Sequence, residues 1–308
     1  MLISSMKRIL IVYNPRSSRF KDVEREVLVE ARGLKGYAVG KYEVKATNLE
    51  DNVRSLARII QDGDLVVAAG GDATGVIVAN AVILSSKDAS VSALPFGNFN
   101  DFSRTLGLPN FKDVLSGKLA TYWPLEILVD GKHFRYATCY VSMGMTAESV
   151  KIFDDKKIRK KLQKGHKSSW RSYFYLANWY FKHRHKKKFI PEFLLNGVAI
   201  RKGTSDYFAM NGASMSRVMK TRPHYKKSKM FIRFVGKLVS FPRLCDFMAK
   251  SMFVKVPGQV VDGDTIQFLN PATVELQAEG EYKTFENVSK IEIRKAKTPL
   301  KVVMKKHK

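Results

Sequence analysis

A glycine-containing loop between two apolar runs constrains the fold of this chain more than any other feature. Gly70-Gly71-Asp72-Ala73-Thr74 follows the apolar residues 65–69 and precedes those at 75–79. This order predicts a buried strand, a tight turn and the start of a helix. Glycine permits a positive φ and a close approach of the backbone to a ligand, and the N–H groups at a helix start suit a phosphate. The alternative is a tight strand-to-helix turn that binds nothing.

Two side chains of this loop are candidate ligands. Asp72 is expected to bind a magnesium ion, and Thr74 to donate a hydrogen bond to a phosphate oxygen. The loop is not a Walker A sequence, because Val76-Ile77 stands where that motif requires Lys followed by Ser or Thr.

Two further motifs stand at the same kind of boundary. Residues 94–104, which read LPFGNFNDFSR, follow another strand-like run and precede a helical one. Upstream, residues 9–18 read ILIVYNPRSS, a strand that runs into a turn. Taken in order with Thr47 and the glycine loop, these motifs resemble those of the diacylglycerol kinase catalytic-domain family, which includes bacterial lipid kinases and sphingosine kinases. The resemblance covers about residues 7–108, and three ordered motifs are far more specific than a lone glycine loop.

The resemblance implies an ATP-dependent lipid kinase that uses Mg²⁺. It would transfer the γ-phosphoryl group to a hydroxyl of a membrane lipid such as diacylglycerol, with Asp72 as the catalytic magnesium ligand. The sequence does not identify the lipid, because diacylglycerol, a sphingoid base and other long-chain alcohols all present a hydroxyl on an apolar body. The residues implied for nucleotide binding are Asn14, Ser17, Thr47, Gly70, Gly71, Asp72, Ala73, Thr74, Gly97, Asn98, Asn100 and Asp101.

The family supplies its catalytic base from a D-G-E motif near the C-terminus, and Glu279-Gly280-Glu281 occupies that place here. Glu281 aligns with the Glu of the motif, so we expect it to be the base that activates the lipid hydroxyl. Glu279 is the neighbouring carboxylate that would orient it. The alternative is a pair of exposed glutamates on either side of a hairpin glycine.

Several positions depart from the family pattern. Ala73 replaces a loop glycine, and an alanine with positive φ there would be strained by roughly 1–2 kcal/mol. Segment 222–227 places lysines where family members carry acidic ligands of a structural magnesium, and the other departures are Ser18, Val76-Ile77 and Asn98. Two alternatives therefore stay open: a degenerate kinase fold that serves as a basic membrane-binding or interaction protein, and a soluble-substrate enzyme related to NAD kinases.

The chain divides into two kinds of pattern. Up to about residue 120, strand-like and helical segments alternate, which predicts a parallel or mixed sheet with helices on both faces. Beyond it, Asp130-Gly131 and Asn196-Gly197 each separate two extended runs and predict β-hairpins, while Asp262-Gly263-Asp264 is expected to turn between shorter strands. The predicted fold class is an α/β nucleotide-binding domain plus a mainly antiparallel domain, which the resemblance makes a β-sandwich.

We place the nucleotide-binding domain at 1–122, joined by the C-terminal segment at about 295–308. The β-rich lipid-substrate domain then spans 123–294 and contains an insertion, expected to be a basic aromatic helix, at 151–188.

The insertion has an unusual composition. Between 156 and 188 it holds thirteen Lys or Arg and no Asp or Glu, and an aromatic run separates its basic clusters. This pattern favours contact with an anionic membrane surface, where Trp and Tyr rings prefer the headgroup level. The alternatives are an internal helix with a solvated basic face and a site for single-stranded nucleic acid. The substrate implied by the resemblance favours the membrane, and no specific nucleic acid is predicted.

Net charge, hydropathy and cysteine content indicate where in the cell the protein is located. The net charge of +26 indicates an anionic partner or a basic proteome. No run approaches the ~20 apolar residues that cross a bilayer. Cys139 and Cys245 lie in apolar surroundings, so both are expected to be buried, reduced thiols. We therefore expect a cytoplasmic protein that associates peripherally with a membrane.

Overall fold

The computed structural model describes residues 8–306 except 18, 98, 155–177, 179–189, 201–202, 213, 216–218, 221–228, 237–241, 244 and 247–258. The predictions that fall on Ser18, on Asn98, on segment 222–227 and on most of the basic aromatic insertion lie outside these residues.

The first of two large sheets contains six strands in the order β2-β1-β3-β4-β18-β5. All neighbouring strands run parallel except β18 and β5, which are antiparallel. The sheet is therefore mixed, and the last strand of the chain returns to it. The strands are β1 (Arg8–Tyr13), β2 (Ala38–Glu43), β3 (Asp64–Gly70), β4 (Ser90–Pro95), β5 (Lys118–Tyr122) and β18 (Leu300–Met304).

Helices cover both faces of this sheet, because neighbouring side chains of a buried strand point to opposite sides. Leu10 belongs to the core that includes residues of α3 (Leu49–Ala57) and α4 (Asp72–Ser85). Ile9 belongs to the core on the other face. That face is covered by α1 (Phe20–Val23), a π-helical stretch (Glu24–Leu28), α2 (Val29–Arg32) and α6 (Phe111–Ser116).

The described part of the second large sheet contains ten strands that pair antiparallel. The α/β domain and the mainly antiparallel second domain predicted from the sequence are confirmed. The strands are β6 (Leu125–Val129), β7 (Lys132–Ala137), β8 (Tyr140–Gly144), β9 (Phe193–Leu195), β10 (Val198–Ile200), β11 (Thr204–Met210), β14 (Met230–Gly236), β15 (Gln259–Val261), β16 (Gly263–Ala278) and β17 (Glu281–Lys295). The remaining elements of the described residues are α5 (Asp101–Thr105), α7 (Met145–Asp154) and a small pair formed by β12 (Ser214–Met215) and β13 (Met219–Lys220).

The predicted turns of the second sheet are confirmed in two cases and in part in the third. Asp130-Gly131 joins β6 to β7, and Asn196-Gly197 joins β9 to β10, with positive φ at all four residues. The chain bends at Asp262 between the short strand β15 and β16. Asp264, however, already lies in β16, a strand of 16 residues. Its buried carboxylate accepts a hydrogen bond of 2.6 Å from the hydroxyl of Tyr207, which fixes it inside the sheet.

The expectation for the cysteines is half correct. Cys139 is buried at the start of β8, but Cys245 is exposed. An apolar sequence neighbourhood therefore does not bury Cys245. Within the part of the chain that the structure describes, no helix is long and apolar enough to cross a bilayer.

Candidate active site

The motif residues gather at one edge of the first sheet. Residues that follow the carboxyl ends of neighbouring parallel strands meet at a common edge. Thr47 comes after β2, Asn14 after β1, the glycine loop Gly70–Thr74 at the end of β3, and Gly97 after β4. The chain order reverses between β1 and β3, which is where open α/β sheets bind ligands.

Close packing, rather than positive φ, explains the glycines of this edge. Gly71 caps α4 with φ −83° and ψ −174°, and Gly70 is not among the glycines with positive φ. A Cβ on Gly70 would lie 2.4 Å from Oγ1 of Thr74, and a Cβ on Gly97 would lie 2.5 Å from the Cα of Gly71. The positive φ expected for the glycine loop is therefore wrong. The loops after β3 and β4 touch backbone to backbone, and only glycine permits that contact.

The start of α4 offers donors for an anionic ligand. The N–H groups of a first helical turn have no intrahelical acceptor, and the helix dipole favours negative charge there. Ala73 lies in this turn with helical backbone angles, so its methyl group causes no backbone strain. In the loop after β1, Oγ of Ser17 is buried and has no hydrogen-bond partner among the described residues. These donors fit the phosphates of a nucleotide.

Asp72 connects the two loops. Its Oδ1 accepts a hydrogen bond from the backbone N–H of Asp101 at 2.7 Å, and its Oδ2 accepts one from Asn100 at 3.1 Å. Asn100 has φ 58°, and its Oδ1 accepts a hydrogen bond of 2.6 Å from the N–H of Gly97. Asp72 therefore holds the start of α5 (Asp101–Thr105) and the shape of the loop before it.

This geometry limits how a metal would bind. A carboxylate oxygen has two lone pairs, so a hydrogen bond to it does not by itself prevent Asp72 from ligating Mg²⁺. Among the described residues no three His, Cys, Asp or Glu side chains form a metal cluster. The donor set fits a Mg²⁺ ion that takes one or two protein carboxylates and shares its other ligands with nucleotide phosphates.

Polar contacts hold the ends of β1 and β2 together beside this loop. Oδ1 of Asn14 accepts a hydrogen bond of 3.0 Å from the N–H of Arg16. The guanidinium of Arg16 donates to the carbonyl of Lys45 at 2.7 Å. Thr47 is exposed, and its hydroxyl oxygen accepts a hydrogen bond of 3.1 Å from Nδ2 of Asn52. Asn14 and Thr47, both predicted from the sequence, therefore belong to one wall of the edge.

A buried carboxylate of the second sheet lies close to the glycine loop. Glu279 occupies the turn between β16 and β17 with φ 52° and is 5% exposed. Its Oε1 accepts hydrogen bonds from Oγ1 of Thr138 and from the N–H of Cys139, while its buried Oε2 has no partner among the described residues. Burial raises the pKa of Glu279 to about 7, against these hydrogen bonds, and the nearby charge of Asp72 adds to the rise. Glu279 therefore changes its charge near neutral pH.

Glu281, the predicted base, occupies a different environment. It is the first residue of β17, pairs with Ala278 across the hairpin, and is partly exposed. The left-handed turn at Glu279 and Gly280 directs the Glu279 side chain inward, toward Thr138 and Cys139. The geometry therefore favours Glu279 over Glu281 as the carboxylate that acts at the glycine loop.

Three other polar residues, connected to Glu279 through Thr138, belong to no sequence motif. Thr138, Asn211 and Lys295 lie on different segments of the second domain, and hydrogen bonds connect them. Nδ2 of Asn211 donates to the carbonyl of Thr138 at 3.1 Å, and Nζ of Lys295 donates to Oδ1 of Asn211. Burial lowers the pKa of Lys295 to about 8. These residues share no motif, and only the tertiary fold brings them together.

The sequence of the first domain is similar to known kinases. Residues 8–132 match the family model described as the diacylglycerol kinase catalytic domain. A diacylglycerol kinase of Staphylococcus carnosus (strain TM300) is 29% identical over 127 residues, which are 41% of this chain and 38% of that protein. A diacylglycerol kinase of Bacillus subtilis (strain 168) is 34% identical over 114 residues, 36% of each chain. The similarity thus spans less than two fifths of the length of these curated relatives.

The fold similarity extends over both domains. The crystal structure of a diacylglycerol kinase from Bacillus anthracis str. Sterne aligns with 97% of this chain and 97% of its own, with a TM-score of 0.64 and 16% sequence identity. At this identity the likeness concerns the fold alone.

Proposed function

Because residues 8–132 match the family model of the diacylglycerol kinase catalytic domain, we propose that this chain is an ATP-dependent lipid kinase that phosphorylates a hydroxyl of a membrane lipid. The match over the first domain supports a phosphotransferase. The observation that carries the proposal further is the position of Glu279, a buried carboxylate with a pKa of about 7 that is influenced by the charge of Asp72. A base of this kind beside a phosphate-binding loop is what transfer to an alcohol requires.

Glu279 is the proposed general base. Thr138 and Cys139 hold its Oε1, which leaves Oε2 to accept the proton of a lipid hydroxyl. A base is most effective when its pKa lies near the working pH, and a value of about 7 meets that condition. The negative charge of Asp72 makes Glu279 more basic than burial alone would.

The edge of the first sheet is the proposed nucleotide site. When bound there, ATP supplies the phosphoryl group and Mg²⁺ neutralises its charge. The first turn of α4 and the hydroxyl of Ser17 would bind phosphate oxygens, and Asp72 would ligate the metal. Asn14, Thr47 and Gly97 stand at the neighbouring strand ends, where they would line the rest of the site.

The direct test is phosphoryl transfer from labelled ATP across a panel of lipids in anionic micelles. Diacylglycerol, a sphingoid base and a simple long-chain alcohol cover the headgroups that the sequence leaves open. Labelled lipid is expected with the wild-type protein and not with Glu279→Gln, which keeps the size of the side chain but removes the base. Equal labelling by both proteins would exclude Glu279 as the base, and no labelling with any lipid would refute the lipid kinase.

The second candidate is a degenerate kinase fold that binds membranes without catalysis. The lysines at 222–227, in place of acidic metal ligands, favour it. The departure at Val76-Ile77 does not, since both side chains are buried and Ile77 packs in the core beside α4. Thermal stabilisation by ATP distinguishes the two candidate functions. A ligand at 100 times its Kd stabilises the folded state by about 2.7 kcal/mol. A melting temperature that ATP and Mg²⁺ leave unchanged would favour the degenerate fold.

Association with a membrane is part of the same proposal. A lipid kinase must reach a substrate that lies in a bilayer, and the thirteen basic residues between 156 and 188 suit an anionic surface. We propose peripheral attachment through this segment, from the cytoplasmic side.

A further inference from the structure

A partly buried lysine lies where the chain crosses between the two sheets. Lys295 is the last residue of β17, and β18 of the first sheet begins at Leu300. Its Nζ donates to Oδ1 of Asn211 and to the carbonyl of Trp123 at 3.4 Å. Trp123 belongs to the other crossing, between β5 and β6. Lys295 therefore ties the two crossing segments to each other and to Asn211.

The charge of Lys295 is poorly compensated at this position. The described residues give its ammonium group neutral acceptors only, and burial lowers its pKa to about 8. A partly desolvated cation without a carboxylate partner gains little stability from its contacts. A functional role, rather than stabilisation of the fold, therefore explains these contacts better.

Asn211 transmits the position of Lys295 to the segment that holds the base. Its Nδ2 donates to the carbonyl of Trp123 at 2.8 Å and to that of Thr138 at 3.1 Å. Its backbone N–H donates to the carbonyl of Cys139 at 2.6 Å. Asn211 thus fixes the carbonyl groups of the same two residues whose Oγ1 and N–H bind Glu279.

The first domain holds this segment from the other side. Asn80 of α4 donates through Nδ2 to the carbonyl of Tyr136 at 2.8 Å and accepts from the N–H of Tyr136 at 3.0 Å. Since α4 begins at Asp72, one helix connects the glycine loop to residues 136–139. These four residues are therefore fixed on one side by the nucleotide-binding domain and on the other by Asn211.

We propose that Asn211, held by Lys295, is a positioning residue for Glu279. By fixing Thr138 and Cys139, it keeps two hydrogen bonds on Oε1 and leaves Oε2 to face the reacting hydroxyl. The inference rests on the proposed function of Glu279 as the base. Lys295 and Asn211 do not touch the substrate, and their effect passes through Thr138 and Cys139.

Two variants remove the connection in different ways. Asn211→Leu removes the amide at similar size, and Lys295→Met removes the ammonium but keeps the length of the side chain. Each should lower kcat by ~10–10²-fold, as expected for residues that orient a reacting group, with KM for ATP changed by less than about twofold. Lys295→Arg, which keeps donors for Asn211, should recover most of the loss. Lys290→Met is the matched control, because Lys290 lies on the same strand with a half-exposed side chain.

The pH profile distinguishes positioning from a loss of stability. The hydrogen bonds from Thr138 and Cys139 favour the charged form of Glu279 and lower its pKa. When they loosen, the pKa rises, so the acidic limb of kcat in Asn211→Leu and Lys295→Met should move to higher pH. A lower kcat with an unmoved limb in folded protein would overturn the proposal.

A second measurement does not depend on catalysis. The protonation of Glu279 can be followed by infrared titration of its carboxyl band, which is assigned as the band that Glu279→Gln lacks. A higher pKa in both variants supports the positioning role even if the wild-type protein phosphorylates no lipid, in which case only the proposed function fails. An unchanged pKa in both variants overturns the positioning role whatever the activity. If Asn211→Leu does not fold, Lys295→Met alone decides the result.

Discussion

Oδ1 of Asp72 accepts a hydrogen bond of 2.7 Å from the backbone N–H of Asp101. Through it the first residue of α4 is joined to the first residue of α5, and the loops that follow β3 and β4 are held in contact. The motif alone suggests that Asp72 serves a metal. The hydrogen bond indicates a second, structural role, since the same carboxylate fixes the conformation of the loops at the phosphate-binding edge.

Asp72→Asn should therefore lose stability as well as activity. The carboxylate accepts from two N–H groups, whereas an amide has one oxygen and would turn an NH₂ group toward one of them. We expect the free energy of unfolding to fall by about 1–3 kcal/mol, the cost of an unsatisfied buried donor. ATP should no longer raise the melting temperature.

Thermal unfolding with and without ATP and Mg²⁺ measures both effects. Glu30→Gln is the matched control, since it neutralises an exposed carboxylate of α2. If Asp72→Asn melts like the wild type but loses activity, Asp72 serves the metal alone.

Glu279→Gln and Glu281→Gln should differ strongly. Losing a general base lowers turnover by at least ~10²-fold, and we expect this loss for Glu279→Gln with ATP affinity little changed. Glu281→Gln should do less, because the partly exposed Glu281 lies outside the pocket formed by Thr138 and Cys139. Steady-state kinetics with saturating lipid decides between them, and a larger loss in Glu281→Gln would restore the role that the sequence motif suggests.

The raised pKa of Glu279 predicts opposite pH dependences for activity and for the free energy of unfolding. Its pKa rises from 4.5 to about 7 on folding, so the folded protein holds a proton that the unfolded chain releases between these values. The free energy of unfolding should therefore fall as pH rises from about 4.5 to 7 and then level off, by up to about 3 kcal/mol in total. Activity should rise over the upper part of the same range, because the base must be ionised.

Denaturant titrations at several pH values between 5 and 8 test this prediction. Glu279→Gln does not titrate, so its curve serves as the reference for all other groups. The contribution of Glu279 is the difference between the two slopes. Parallel curves would show that the carboxyl has an ordinary pKa in the folded protein.

The sequence predicted the strands and the sheet edge well, but it misassigned the reason for the glycines. Apolar runs such as 65–69 and the hairpin turn Asn196-Gly197 depend on local chemistry, and the structure confirms them. The need for Gly97 comes from the Cα of Gly71, a contact between residues 26 positions apart that no local pattern encodes. The motif suggested that Ala73 has a strained positive φ, because it replaces a glycine. In the structure Ala73 lies in the first turn of α4 with helical backbone angles and is not strained.

The base and its surroundings were harder to predict for a related reason. Glu279 and Glu281 are two residues apart and chemically equal in the sequence. The left-handed backbone conformation of Glu279 directs its side chain inward. This direction is defined only by the hairpin that β16 and β17 form when they pair. Asn211 and Lys295 carry no motif at all, because their roles depend on where the chain crosses between domains.

Gly97→Ala tests the contact between the two loops. The new Cβ would lie 2.5 Å from the Cα of Gly71 and 3.0 Å from Oδ1 of Asn100, so one backbone must move. We expect a loss of about 1–3 kcal/mol in the free energy of unfolding, as for overpacked cores, and weaker ATP binding. Gly33→Ala is the control, since its Cβ would meet its nearest neighbour at 3.6 Å. Calorimetric ATP binding by Gly97→Ala that equals the wild type would place the nucleotide elsewhere.

The basic segment between 156 and 188 should drive binding to anionic vesicles. Exposed charges are screened over about 8–10 Å at physiological salt, so binding should weaken as salt rises from low to physiological values. It should be nearly absent on neutral vesicles, because the aromatic residues alone offer too little area against the cost of ordering. Cosedimentation with vesicles of defined composition measures each effect.

Replacing three lysines isolates the charge from the aromatics. Changing Lys186, Lys187 and Lys188 to Gln should cost about 1 kcal/mol each if all three touch the surface, which is roughly a hundredfold in partitioning. Soluble ATP binding should be unaffected. The matched control changes three exposed lysines elsewhere, Lys35, Lys132 and Lys297, and so removes the same net charge. If both triple variants bind like the wild type at every salt concentration, the basic segment faces solvent and the aromatic run belongs to the protein interior.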